Sequence, residues 1–213
     1  MNEPIESPKT NQLAIWLFNP FMYIAGWQAF LIGLIGILAA GLIGSVGNVH
    51  FDGVLDLHIG AKVPLWFYIA EGFMDWLSLA ILLLLASLIL RGTSFRVIDI
   101  FGTQTLARWP MLISAAVGIL PANQRVAETL VKMIQNPTQP PTFPIADTAV
   151  FAAAMIIVLV MTAWMVVLMY RAYAVSCNLK GAKAIVSFIV CLIIAELISK
   201  AGIITTAKLV LLN

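Results

Sequence analysis

Residues 50–60, HFDGVLDLHIG, place His50, Asp52, Asp56 and His58 within nine positions of a largely apolar chain. Imidazole and carboxylate are zinc ligands, so the first chemistry to consider is a metal site and, through it, a metal-dependent membrane enzyme. Such a site needs three or four ligands at about 2.0–2.3 Å with a supporting outer shell. A hairpin turning at Asp52-Gly53, a favoured dipeptide for a two-residue turn, would pair residue 51 with 54 and 50 with 55. Asp56 and His58 then share a face with Phe51 while His50 points to the other. A helix would put Asp52 and Asp56 on one face and leave His58 well around the cylinder. Neither regular geometry gathers all four residues; an irregular loop still could. The expectation is a polar turn at a water boundary, with His58 at headgroup depth and neither metal nor other cofactor bound.

A second set of chemistry-bearing residues lies inside apolar stretches. Glu71 and Asp75 are four apart, as are Glu196 and Lys200, so each pair shares a helical face. Acids inside a membrane span are costly and face a bundle interior or a water-filled cavity. A cluster of Glu71, Asp75 and Glu196 opening toward His58 would suit cation binding or proton relay. The plainer expectation is that Glu71 and Asp75 sit at the interface and Glu196 pairs with Lys200. Arg108 either snorkels to cytoplasmic phosphates or holds an acid or a helix end inside the bundle, and the internal role is expected. The strings GxSxG and HExxH do not occur, nor does a phosphate-binding or dinucleotide fingerprint. Cys177 and Cys191, fourteen apart, have neither redox nor zinc spacing and read as free thiols. The chain is therefore expected not to be an enzyme.

The elements that would position these groups follow from composition. Of 213 residues, 62% are hydrophobic and 10% charged, with a mean hydropathy of +1.00. A soluble domain carries about 25% charged residues; here most of the surface must meet lipid. A formal charge of +2 and the lack of any basic run exclude nucleic acid as a partner. The expected fold is all-α, a polytopic bundle of five transmembrane helices at about 21–46, 64–90, 102–120, 148–170 and 183–205. It forms a single domain over 21–213, preceded by a tail over 1–20.

In that tail Glu3 and Glu6 oppose Lys9, unlike a secretory leader. Its stretch NQLAIWLF is too short to span and is expected at the interface with Trp16 at headgroup depth. In the first span Gly36, Ala40 and Gly44 recur at steps of four, a small-residue face suited to close helix approach. Pro110 predicts a kink at Arg108-Trp109-Pro110 in the third span. Beyond it, ANQRVAETLVKMIQ reads as a short amphipathic surface helix and NPTQPPTFP, 136–144, as extended chain.

Five spans leave the termini on opposite sides. Lys9, Arg91, Arg96, Arg108, Arg171, Lys180 and Lys183 fall toward the N-terminal side; Lys62, Arg125, Lys132, Lys200 and Lys208 fall toward the other. The seven-to-five bias predicts a cytoplasmic N-terminus, an outward C-terminus and an outward-facing 50–58 loop.

Two stretches, GTQTLARWP (102–110) and YRAYAVSCNLKGAKAIVSFIVCLIIAELISK (170–200), resemble the Ypt-interacting protein (Yip) domain family. The matching positions are Gly102, Thr103, Gln104, Arg108 and Pro110 at the third helix, then Lys180 and Gly181 in the turn before the last. The resemblance spans roughly residues 20–205 and implies a five-helix membrane protein with a cytoplasmic N-terminus. Eukaryotic members act in vesicle traffic with Rab-type GTPases and usually carry a longer cytosolic N-terminal segment. The short tail here argues against GTPase binding and points to a bacterial member in the cytoplasmic (inner) membrane. The expected function is non-enzymatic: contacts with lipids, other membrane proteins or further copies of the chain, in membrane organisation or trafficking. The contact surfaces would be the Gly36/Ala40/Gly44 face and the basic turn of Arg171, Lys180 and Lys183. A small transporter using Glu71, Asp75 and Glu196 is the alternative.

Overall fold

The computed structural model describes residues 12–90, 95–136 and 142–211. Glu3, Glu6, Lys9, Arg91 and residues 137–141 of the proline-rich connection lie outside the described residues. The helices run α1 Gln12–Phe18, α2 Gly26–Gly47, α3 Leu65–Ile89, α4 Val97–Leu106, α5 Pro110–Gly118, α6 Pro121–Gln135, α7 Ile145–Ser176 and α8 Gly181–Leu211. The loop between α2 and α3 holds the one pair of strands found among the described residues, β1 Val49–His50 and β2 His58–Ile59.

Four helices are long and apolar enough to cross a membrane: α2, α3, α7 and α8. A fifth is counted only if Val97–Gly118 and Pro121–Gln135, bent by 76° against each other, are taken as one broken span. The expected single span at 102–120 therefore needs correction. Its helix starts earlier, at Val97, and is interrupted at residues 107–109 before Pro110 opens α5. The break falls at the expected kink, because Pro110 has no N–H to donate and so removes one rung of the helical hydrogen-bond ladder; Trp109 before it keeps helical backbone (φ −50°, ψ −38°). The last two helices also outrun their expected ends. Asp147, which set the expected start of α7, lies in its first turn and is held by Arg125 of α6 through bonds of 2.6 and 2.7 Å.

The centre of the bundle is made by α2, which packs against α3, α4 and α5. Gly36, Ala40 and Gly44 are buried, together with Gly33, Gly41 and Gly47. The small-residue face is thus occupied within the chain, which corrects the expectation that it meets other proteins. Closest approach is not at Gly36, where a Cβ would stand an ordinary 3.6 Å from Trp109 Nε1. It is at Gly33, against the backbone of Thr105 and Leu106, and at Gly102, against the carbonyl of Gly26. These glycines let α2 and α4 touch backbone to backbone.

Polar side chains of α4 complete the seam. Gln104 Nε2 donates to Met169 O at 2.9 Å, and Thr103 Oγ1 lies 2.9 Å from Ser176 Oγ, tying α4 to α7. At the α7–α8 turn, Asn178 (φ 48°) and Gly181 (φ 65°) adopt left-handed backbone, a conformation that glycine takes without steric cost. α1 rests on α7 through a Trp164 Nε1 bond to Leu17 O at 2.8 Å, and Trp16 stacks on Tyr23. Cys177 and Cys191 are buried and form no disulfide.

Candidate functional site

The chemistry-bearing residues assemble where the α2–α3 loop folds back onto α3 and α8. α3 supplies Tyr68, Glu71 and Asp75, which recur at steps of three and four and so line one face. All three are buried, with Asp75 0% exposed and Glu71 1%. α8 contributes Glu196, Ser199 and Lys200, and the break between α4 and α5 contributes Arg108.

The loop is not a two-residue hairpin. Val49 pairs with Ile59 and His50 with His58, so residues 51–57 form a wide irregular connection that turns inward, burying Phe51 and Val54. The two-residue hairpin considered above, with 50 paired to 55, does not form; Glu71 of α3 and Glu196 and Lys200 of α8 take up much of the loop instead. His50 Nδ1 lies 2.8 Å from Glu71 Oε1 and its Nε2 lies 2.9 Å from Ala61 O. Both ring nitrogens thus have an oxygen partner. The other oxygen of Glu71 accepts the Phe51 N–H at 3.2 Å. Tyr68 stacks on His50 with ring centroids 4.6 Å apart.

Further along the loop, the Leu55 N–H donates to Glu196 Oε2 at 2.9 Å. Gly53 lies against the same carboxylate, and a Cβ there would stand 2.9 Å from its Cδ. Lys200 donates to Asp56. The expected Glu196–Lys200 pair is therefore replaced: both side chains reach across to the loop, because it brings a backbone donor and a carboxylate within their range. His58 and Asp52 form an ion pair at 3.1 Å on the open side, with the His58 side chain 49% exposed. The ion pair between them holds Asp52 below its ordinary value and His58 above its own.

Deeper in the bundle, Arg108 Nη2 donates to Asp75 Oδ2 at 3.1 Å, and the two side chains are 1% and 0% exposed. Ser199 donates to the second oxygen of Asp75, and Arg108 Nε lies 3.1 Å from Met111 Sδ. Arg108 is thus internal rather than snorkelling, and Asp75 is buried against it. Arg108 sits where the helix tightens, its N–H and that of Trp109 donating to Thr105 O and Leu106 O at 3.2 Å, three residues back rather than four.

The four loop candidates for a metal do not converge. His50 faces Glu71, Asp52 faces His58, and Asp56 faces Lys200. Among the described residues no group of three or more His, Cys, Asp or Glu is placed to hold a metal ion. A cavity of about 260 Å³ does open beside the loop, lined by His50, Asp52, His58, Glu71, Phe67 and Lys208, among others. Of the three acids proposed for ion passage, Glu71 lines it; Asp75 and Glu196 are turned to the partners described above.

Sequence reading does not single out Ser199 or Tyr68, and it gives Gly53 only a turn role, not its contact with Glu196. Tyr68 carries a signal, its place on the Glu71/Asp75 face; Ser199 carries none short of knowing which helices meet. Comparison with protein-family models, curated proteins and solved structures yields no match to this chain.

Proposed function

We propose that the chain is a non-enzymatic, multi-pass membrane protein of the kind the Yip resemblance implies. It acts through contacts of its apolar helix faces with lipids or other membrane proteins, in membrane organisation or trafficking. The observation that carries this reading is an inverted surface. Glu71, Asp75 and Arg108 are buried, whereas Ile156, Leu159 and Val160 of α7 and Ile189, Val190, Ile193 and Leu197 of α8 are exposed. In water that much bare apolar helix would associate without control; in hydrocarbon it is the stable arrangement. A helix of 22 residues, such as α2, is roughly 33 Å long at 1.5 Å per residue, enough for a core of about 30 Å.

The non-enzymatic part rests on how the polar groups are used. Each acid on the inward face, together with Arg108 and Lys200, is committed to a partner that holds the fold, and the loop is fastened over them. The charge bias supports a cytoplasmic N-terminal side and an outward loop, and the Yip resemblance supports a bacterial cytoplasmic membrane. Permeation is the second reading, favoured by the cavity that Glu71 lines. It needs Asp75 and Glu196 to open onto the same space.

The two are separated by one paired experiment. A photoreactive residue at Leu159, irradiated in intact membranes, is expected to capture lipid or a discrete protein, and one at the buried Leu168 is not. Proton or monovalent-cation flux across reconstituted vesicles that disappears in Glu71→Gln would replace the contact reading by permeation.

A further inference from the structure

α3 and α8 pack against each other, most closely near the α2–α3 loop. There Ser199 bonds Asp75, and Gly202 faces Met74 so closely that a Cβ would come within 2.7 Å of its Cε. Toward the other end of the two helices Cys191 Sγ donates to Leu82 O at 3.5 Å. Between them lies a groove of about 680 Å³ walled by Leu85, Ala86 and Ile89 of α3 and by Val186 and Val190 of α8, with Lys183 in its lining. That volume is within the range of about 300–1,000 Å³ typical of small-molecule sites.

Two features specify the occupant. The first is length. The lining runs from Leu82 to Leu90 and from Ala182 to Cys191, roughly 12 and 14 Å at 1.5 Å per residue. One leaflet of hydrocarbon, half of a core about 30 Å thick, is about 15 Å deep. The second is charge. The groove is apolar along its length, and the hydroxyl of Ser187 is already engaged with Lys183 O and Tyr173 Oη. At its mouth stands Lys183, with Lys180 in the same turn; both are exposed, and neither has an anionic partner among the described residues. An apolar slot one leaflet deep with ammonium groups at its rim matches an acyl chain joined to an anionic headgroup.

We propose that this groove holds one acyl chain of an anionic phospholipid of the cytoplasmic leaflet, its headgroup phosphate bound by Lys183 and Lys180. The site deepens the membrane reading above and rests on it. It gives the basic turn a ligand, and it fills the groove between α3 and α8.

The test uses the full chain in vesicles of phosphatidylcholine with a minor share of phosphatidylglycerol. Benzoyl-phenylalanine is placed at Leu85 in the groove or at Leu159 on α7, and the lipid adducts are weighed by mass spectrometry. Leu159 should capture the two lipids in their bulk ratio. Leu85 should favour phosphatidylglycerol by about fivefold for each lysine engaged. Lys180→Glu with Lys183→Glu, both at exposed positions, should return the Leu85 ratio to bulk, and Lys183→Arg should keep the enrichment. A bulk ratio at Leu85, an enrichment untouched by the double reversal, or a protein adduct there from a second copy or another helix overturns the proposal. Absence of lipid adducts at Leu159 as well would overturn the membrane reading itself, whereas bulk capture at both positions removes only the groove site.

Discussion

Removing one member of the Asp75–Arg108 pair should be far worse than removing both. Asp75 and Arg108 are 0% and 3% exposed and meet at 3.1 Å. Arg108→Met leaves a buried carboxylate with Ser199 as its donor. Asp75→Asn leaves a buried guanidinium whose Nη1 already has no partner among the described residues. Breaking a buried pair from one side costs about 3–5 kcal/mol, because the stranded charge keeps its desolvation cost without its counter-charge. Against a total stability of about 5–15 kcal/mol, either single change should remove roughly a fifth or more of the total. The double variant Asp75→Asn/Arg108→Met retains an acceptor for Ser199 and leaves no net charge inside. It should lie within about 2 kcal/mol of the parent, giving a coupling of several kcal/mol in a double-mutant cycle. The measurement is reversible unfolding in mixed micelles, followed by helical circular dichroism as the denaturing detergent fraction rises. Single variants within about 1 kcal/mol of the parent, or losses that simply add, would refute the view that the pair is buried, ionised and structural.

Other perturbations probe the loop and the central helix. Gly33→Ala should destabilise by about 1–3 kcal/mol because its Cβ meets the backbone of α4, which cannot yield; Gly36→Ala, in ordinary contact with Trp109, should leave detergent unfolding within about 0.5 kcal/mol of the parent. Glu196→Leu should speed hydrogen exchange at the Leu55 amide by roughly tenfold, the equivalent of one hydrogen bond to a charged acceptor, while Glu196→Gln, which keeps an oxygen there, should change it little. The Asp52–His58 pair should hold the loop most firmly between the ordinary pKa values of the two groups, 3.8 and 6.5. His58 is raised, so its contribution is complete below 6.5 and is lost as pH climbs through its raised value; Asp52 is lowered, so its contribution is complete above 3.8 and is lost as pH falls through its lowered value. With His58 half exposed the effect is under about 1 kcal/mol, visible as loop exchange that quickens at both ends of the pH range and loses that dependence in His58→Gln.

Legibility in the sequence followed the range of the physics involved. The long apolar helices were readable because hydrophobicity over about 20 residues is a local property. So was the break before Pro110, which depends on one residue and its neighbours. The close approach at Gly33 was not: the steps of four through Gly36 mark a small-residue face, but which glycine takes the contact depends on where α4 crosses it. The loop shows the same limit. Counting ligand-type residues in HFDGVLDLHIG suggested a metal site, and turn chemistry suggested a tight hairpin at Asp52-Gly53. Both treated the loop as its own environment, whereas its partners, Glu71, Glu196 and Lys200, stand 20 and more than 140 residues away.

By itself the sequence determined that this chain makes long apolar helices carrying a few ionisable groups, since composition and periodicity act along the chain. Only the tertiary structure decided how those groups are spent: His50 on Glu71, Asp75 on Arg108 and Ser199, Lys200 on Asp56. In an apolar interior a charge must find a counter-charge or a donor wherever the packing of helices supplies one, and that choice is made by geometry between segments far apart in the chain.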